Sequence, residues 1–519
     1  MSVSSVRVFS GAYRDSLLLL SASRSMADEG GVEWATAVMA APATVDDLVA
    51  DGFPRDDLDG ADANDLVLAV RAVDADRAQA ALERGCGILF ADGAAEDGAA
   101  QGGAAAERTR RTLADAVAQR PAANVAVVSV PGGYAGLAAH QALTAGLHVL
   151  LFSDNVPLDE EIALKQRASR LGRLVMGPGA GTAMLGGVGL GFANAVRSGP
   201  VGVVAAAGTG AQEVMALLDR WDVGLSHVIG VGGRDLSASV GGRMAVDAVR
   251  ALDADPATRA ILLVSKPPDP GVAARVAAQC RRTPLVAACI GMTSPDGRLA
   301  GAVLASTLEE GAARVTRQLG RPVPDLASGL RRAAERAIGG LASTRTAVRG
   351  FFTGGTLCYE AQVLLTELAG PVYSNIPLDA GHGLPAPHPC AHVCLDLGEE
   401  EFTQGKPHPM IDPAARREVM QRQALAPEVA VVLIDVVLGY GSHPDPAGEI
   451  AETCADIVSG GAAVVAYVLG TRADPQGYDG QRAKLEDAGA IVTTTAARAA
   501  RTAAAIATRQ PGLADEVTW

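Results

Sequence analysis

Ala205-Ala206-Ala207-Gly208-Thr209-Gly210-Ala211-Gln212-Glu213-Val214 is the stretch that decides the fold. The residues leading into it, Val201 to Ala206, are short, apolar and uninterrupted, as expected of a strand buried on both faces. Glycine ends the strand, and a helix is expected from Gln212 onward. Such a turn leaves unsatisfied N–H groups and the positive end of the helix dipole facing outward, which suits an anion and most often phosphate. A second copy stands far downstream, Phe351-Phe352-Thr353-Gly354-Gly355-Thr356-Leu357-Cys358-Tyr359-Glu360-Ala361. In both, Gly-Thr is followed after three residues by Glu. One glycine turn is often only geometry. Two in one larger context predict a pair of phosphate cradles, Gly208, Thr209 and Gly210 in one and Gly354, Gly355 and Thr356 in the other.

The context repeats as well. Val228 to Ser237 corresponds to Val393 to Thr403, each a strand ending in glycine and acidic residues. Ala260 to Lys266 corresponds to Val429 to Asp435, and Pro284 to Gly291 to Ala463 to Gly470. These apolar runs separated by helices predict two flavodoxin-like domains, 198–320 and 346–519, joined by a helical connector, 321–345. Residues 123–197 read as a Rossmann-like βαβαβ layer. Its strand ends place Pro131, Ser153, Asn155, Gly177, Pro178 and Gly179 at the edge where open parallel sheets bind ligands. No Gly-x-Gly-x-x-Gly follows its first strand, which argues against a nicotinamide dinucleotide. Residues 1–90 read as a small ferredoxin-like α+β module for docking or oligomerisation, and 91–122 as a Gly/Ala-rich linker running into a helix. The expected class is multidomain α/β.

The bulk properties fit. The 519 residues include 60 glycines, with 49% hydrophobic but only 3% aromatic residues. Small apolar side chains suit close helix–sheet packing. Net charge is −14 and no basic block occurs, so nucleic acid is not an expected partner. Seven scattered cysteines argue for a reducing compartment over a disulfide framework. Cys390 and Cys394 lie among histidines, but Cys394 falls in a strand-like apolar run, and no metal site is expected. With neither a signal-peptide pattern nor a membrane-spanning run, the expectation is a cytoplasmic protein.

Longer motifs carry a family resemblance. Gly177-Pro-Gly-Ala-Gly-Thr-Ala-Met-Leu-Gly-Gly-Val-Gly-Leu-Gly-Phe-Ala-Asn194, Gly405-Lys-Pro-His-Pro-Met-Ile-Asp412 and Asp435-Val-Val-Leu-Gly-Tyr-Gly-Ser-His-Pro-Asp-Pro-Ala447 resemble FdrA-type proteins. These are relatives of the acyl-CoA synthetases typified by succinyl-CoA synthetase. The resemblance implies a CoA-binding-type domain at 123–197, two ligase-type domains, and two helix N-termini facing one another around a phosphoryl group. It places Glu213 opposite the phosphorylated residue. Where the synthetase carries its phosphohistidine within Gly-His-Ala-Gly-Ala, this chain has Gly297-Arg298-Leu299-Ala300-Gly301-Ala302. The glycine-rich CoA turn is not recognisable, and no stretch of roughly 200 residues is left for a nucleotide-grasping domain.

Phosphate cradles without a carrier histidine suit a substrate that brings its own phosphate. The FdrA resemblance implies carbamoyl transfer of the oxamate carbamoyltransferase type, with carbamoyl phosphate or another acyl phosphate, a small amide or amine acceptor, and further enzyme subunits in a heteromeric complex. The alternatives are an ADP-forming acyl-CoA synthetase subunit lacking its phosphohistidine and a non-catalytic CoA- or phosphate-binding scaffold. The chain itself requires no cofactor on this reading; a remnant CoA or nucleotide site is conceivable. His408, in a loop bounded by Pro407 and Pro409, is the first acid–base candidate, with Lys406 beside it to neutralise phosphate. A turn held by two prolines is the competing reading. His443 follows a strand and faces the same edge. Glu213 orients a group at the cradle or, as a first-turn carboxylate, merely complements the helix dipole.

Overall fold

The computed structural model describes residues 2–12, 14, 16–90, 112–403 and 407–517. The chain divides into two compact units, Met1–Thr109 and Arg110–Trp519.

The first unit pairs three antiparallel strands in the order Val3–Phe9, Leu66–Ala72, Val32–Met39. Helices Ser16–Ala27 and Ala75–Leu89 pack Leu19, Met26, Ala78 and Leu82 onto one face of the sheet. Asp74 caps the second helix through the Arg77 N–H.

The second unit holds three sheets. Strands Val125–Val128, His148–Leu151 and Val175–Met176 form the small parallel sheet of the Rossmann-like part. The first ligase-type sheet has eight strands, ordered Arg298–Leu299, Ala302–Ala305, Leu285–Cys289, Ala260–Ser265, Ser198–Ala205, Leu225–Gly230, Thr182–Leu185, Val188–Gly191. Five-stranded domains were expected. The three extra strands lie at the edges: Arg298–Leu299 folds antiparallel onto Ala302–Ala305 at one, and the glycine-rich hairpin Thr182–Leu185/Val188–Gly191 runs antiparallel to Leu225–Gly230 at the other. The second ligase-type sheet has six parallel strands, ordered Val372–Ser374, His392–Asp396, Ala347–Phe352, Val429–Val437, Ala463–Leu469, Ile491–Thr493. Its central strand Val429–Val437 is buried at every position, and Asp435 is its one polar residue. The connector contains the helix Leu330–Gly340. The helix of the expected linker is Leu113–Gln119, capped by Thr112; residues 91–111 lie outside the described ones.

Four helices fill the space between the ligase-type sheets: Gly208–Arg220, Leu308–Gln318, Gly355–Ala369 and Ala496–Ala507. The last reads Ala-Ala-Arg-Ala-Ala-Arg-Thr-Ala-Ala-Ala-Ile-Ala, and its small side chains let neighbours approach closely on all sides. This layer is cross-linked reciprocally. Glu213, on the first domain's Gly208 helix, accepts the Ala496 N–H of the second domain at 3.3 Å. Glu360, on the second domain's Gly355 helix, accepts the Leu308 N–H of the first at 2.6 Å. Arg498 pairs with Glu309 at 2.6 Å, both essentially out of solvent.

The helix after the first cradle begins at Gly208, four residues ahead of the expected Gln212. Glycine signals a turn in a sequence, yet in a first helical turn it sacrifices no hydrogen bond.

Candidate active site

Each cradle follows from its strand. Ser198–Ala205 is buried from Val201 onward and runs straight into the Gly208 helix. The cap residue Ala207 has no side-chain oxygen to offer the first-turn N–H groups. Ala347–Phe352 leads in the same way through Gly354 into the Gly355 helix, again with no side-chain cap.

The two helices meet end to end. The Thr356 N–H donates to Thr209 Oγ1 at 3.3 Å. A Cβ on Gly354 would stand 2.6 Å from Thr209 Cγ2, and one on Gly210 would stand 2.9 Å from Thr356 Cγ2. Here glycine is required by close approach, not by backbone angle.

A cavity of about 560 Å³ opens over this junction. Gly208, Thr209, Gly354, Gly355 and Thr356 line it, as do Ser153 and Gly179 from the Rossmann-like part and His408. Gly210 lies at the helix junction instead. Pro131, Asn155, Gly177 and Pro178 are not among the lining residues. Pro131 caps the helix Gly132–Thr144, and a Cβ on Gly177 would sit 2.2 Å from the Leu151 carbonyl oxygen, so these positions pack the strand ends together. His443 is also outside the lining. It is buried, its N–H donates to the Met410 carbonyl at 2.7 Å, and so it braces the His408 loop from behind. Lys406 lies outside the described residues. The hairpin Arg298–Leu299/Ala302–Ala305, where the synthetase histidine would stand, is at the far edge of the first ligase-type sheet.

Glu213 points away from the cavity into the interdomain layer, because its position one turn down the helix turns it toward Ala496 and Tyr467. Burial pushes its pKa up to about 7, against the pull of Arg220. Glu360 is pushed up to about 8 for the same reason, against the Leu308 N–H.

His408 is held with its Nδ1 accepting the Met410 N–H at 3.2 Å. The hydrogen-bond pattern assigns its ring proton to Nε2. Burial lowers its pKa to about 4, so it is a neutral imidazole that donates into the cavity. Its ring centroid is 6.2 Å from that of Phe192, and Nε2 would be 2.6 Å from a Cβ on Gly398. A protonated Nε2 does not present the lone pair needed to carry a phosphoryl group.

Four further polar residues gather at the site. Lys266, just after the strand Ala260–Ser265, is the one lysine or arginine among the described lining residues. Its ammonium stands 6.0 Å from the Tyr359 ring centroid. Gln212 lines the cavity at 1% exposure, and its Nε2 has no partner among the described residues. Asp396 takes the Gly398 N–H on Oδ1 at 3.0 Å; burial pushes its pKa up to about 7, against the pull of Lys266. Asp435 lies beneath the Gly355 helix, accepting the N–H groups of Thr353 and Gly354 at 2.9 and 3.0 Å. Arg416 stands 3.4 Å from it, and burial nevertheless raises its pKa. Lys266 and Asp435 close equivalent strands of the two copies, and that correspondence was the signal available for them in the sequence.

Residues 351–506 match the CoA-ligase family, and residues 1–107 match the AllF heavy metal-associated domain. The Escherichia coli uncharacterized protein YahF is 38% identical over 499 residues, 93% of this chain and 94% of YahF. The ADP-forming sulfoacetate-CoA ligase subunit SauD of Bilophila wadsworthia is 30% identical over 34% of this chain and 63% of that subunit. Subunit alpha 1 of the Archaeoglobus fulgidus ADP-forming succinate–CoA ligase is 29% identical over 37% of this chain and 65% of its own length. Among solved structures, the Ca. Korarchaeum cryptofilum dinucleotide-forming acetyl-coenzyme A synthetase 1 matches at 17% identity and TM-score 0.29, covering 75% of this chain and 84% of that one.

The residues present do not fit a heavy metal in the N-terminal domain. Residues 1–107 contain one cysteine, Cys86, and no histidine. No group of three potential metal ligands occurs among the described residues. Nor is any helix among them long and apolar enough to cross a membrane. The chain belongs to the family of YahF, an AllF-type N-terminal domain followed by domains of the succinyl-CoA synthetase-like CoA-ligase superfamily.

Proposed function

We propose that this chain is the phosphate-handling subunit of an acyl-CoA-ligase-type enzyme, binding an acyl phosphate, or phosphate and an acyl group, over the junction of the Gly208 and Gly355 helices. The observation that carries this reading is the end-to-end meeting of two uncapped helices at one cavity, with Lys266 the one lysine among its described lining residues. Helix N-termini stabilise a phosphate dianion as it leaves or attacks, and Lys266 adds a full charge. The neutral His408 donates its Nε2–H to an oxygen of the bound group. A nucleotide-binding partner subunit would supply the activation that this chain lacks.

A second reading is favoured by the missing carrier. With no histidine in 297–302 and His408 protonated on Nε2, the phosphate arrives with the substrate, and carbamoyl phosphate is such a donor. Carbamoyl transfer of the oxamate type is this second reading; the ligase reading ranks first because two of the relatives above, the SauD and succinate–CoA ligase subunits, carry ligase names.

The discriminating experiment mixes the purified chain with its co-purifying subunits. ATP, CoA and a small carboxylate are supplied in one arm, carbamoyl phosphate and an amide acceptor in the other. Acyl-CoA formation supports the first reading and phosphate release in the second arm alone supports the other. Lys266→Met is expected to lower either turnover at least about tenfold. Unchanged turnover in that variant would remove the cavity from both.

A further inference from the structure

The two halves of the cavity are unequal. On the Gly208 helix the cap offers no acceptor, and the Gln212 amide stands unpartnered against the cavity. At the start of the Gly355 helix three N–H groups, those of Thr353, Gly354 and Thr356, are already engaged. Asp435 accepts from Thr353 and Gly354, and Thr209 accepts from Thr356. Asp396 fills what space remains: a Cβ on Gly355 would be only 2.2 Å from its Oδ2. Two internal carboxylates therefore stand where a symmetrical pair of cradles would place a second anion.

We propose that the cavity holds a single anion, on the Gly208 helix with Gln212, and that Asp396, set against Lys266 at the other helix end, is a specificity-determining residue which makes the Gly355 half accept only an uncharged or cationic thiol or amine group. The inference rests on reading the cavity as a phosphate site. Asp396 is 3% exposed and lines the cavity. The charged groups that face it are Lys266, Glu399 and Asp435, with Arg416 behind Asp435. His408 stands across Gly398, whose Cβ would lie 2.6 Å from His408 Nε2 and 3.2 Å from Asp396 Oδ1. Neutral imidazole adds no charge there, and Lys266, whose Nζ would lie 3.4 Å from a Cβ on Gly355, is one cation against the carboxylates of Asp396, Glu399 and Asp435, which outnumber it in this half. A carboxylate-bearing acceptor would meet like charge in a site largely closed to water, whereas an ammonium or thiol would not.

The test titrates the full chain with sulfate, which stays dianionic from pH 6 to 8.5, by calorimetry. One sulfate per chain is expected, bound several-fold more weakly at pH 8 than at pH 6 as Asp396 ionises beside it. Asp396→Asn, which keeps the acceptor for Gly398, should flatten that dependence. In sulfate at pH 8 the chain should then bind cysteamine and refuse mercaptoacetate, and Asp396→Asn should erase the preference. Two sulfates per chain, equal binding of the two thiols, or a pH dependence that vanishes in Glu399→Gln instead of Asp396→Asn would each overturn the inference. Absence of sulfate binding at both pH values would remove the phosphate reading beneath it. Loss of binding in Lys266→Met with wild-type binding intact would leave that reading standing, whatever becomes of Asp396.

Discussion

At the scale of single residues, the site depends on side chains that are absent as much as on those present. Gly354 and Gly210 let two helix ends touch, and Gly355 and Gly398 let carboxylate and imidazole approach the backbone. Gly354→Ala drives a methyl group to 2.6 Å from Thr209 Cγ2. Anion binding is expected to fall at least about tenfold with an overpacking cost of about 1–3 kcal/mol, read by calorimetry and denaturant melts. A variant that binds as before would show that the helix ends need not touch. The glycines at the two helix starts were legible in the sequence because they repeat. Gln212, Lys266 and Asp396 were not picked out, since each looks ordinary along the chain and gains meaning only where two domains converge. Glu213 was legible as a residue but not in its direction: a carboxylate one turn inside a helix faces whatever packs on that flank.

At the scale of elements, the reciprocal contacts couple the helices to pH. Glu213 and Glu360 have folded-state pKa values of about 7 and about 8, above the ordinary carboxylate value, because burial disfavours their charge. A raised carboxylate pKa favours the protonated folded form. That contribution is complete below about pH 4.5 and is lost as pH climbs through 7 to 8. The melting temperature is therefore expected to decline between pH 5 and pH 8.5. Glu360→Gln should flatten part of the decline while keeping an acceptor for the Leu308 N–H; a melting curve as steep as before in that variant would contradict the assignment. The strands of both domains were readable from their unbroken apolar runs. The two edge hairpins were not, because glycine-rich pairs with few β-branched residues carry little strand signal.

At the scale of the whole molecule, two predictions follow from how the units are built. Residues 1–107 match a heavy metal-associated domain yet contain one cysteine, Cys86, and no histidine. Equilibrium dialysis of the full chain with Cu(I) or Zn(II) should find no tight stoichiometric site that Cys86→Ser removes. In the second unit, Arg498 and Glu309 form a buried pair between domains. Arg498→Met leaves an uncompensated carboxylate and is expected to cost about 3–5 kcal/mol in denaturant unfolding. A loss below about 1 kcal/mol would mean that water reaches the pair. The class of each domain was legible because repeated strand–helix spacing survives divergence. The assembly of the domains was not, because the surfaces that hold them are helices rich in alanine, whose sequence says only that something packs closely.

The exchange of helix caps between the halves reaches beyond stability. Glu213 and Glu360 each complete a helix in the other domain, so neither duplicate keeps its own final helix fully hydrogen-bonded alone. The pair behaves as a heterodimer written into one polypeptide, with the 321–345 segment as its tether. Cut there, the fragments should each be insoluble or molten yet recover the fold and the sulfate site when refolded together, and further duplication would start from the pair and not from either half. Drift in one copy is thereby held to the pace of the other, and a cavity shared across their junction can lose its symmetry, one wall open to an anion and the other lined with carboxylate, without either copy becoming dispensable.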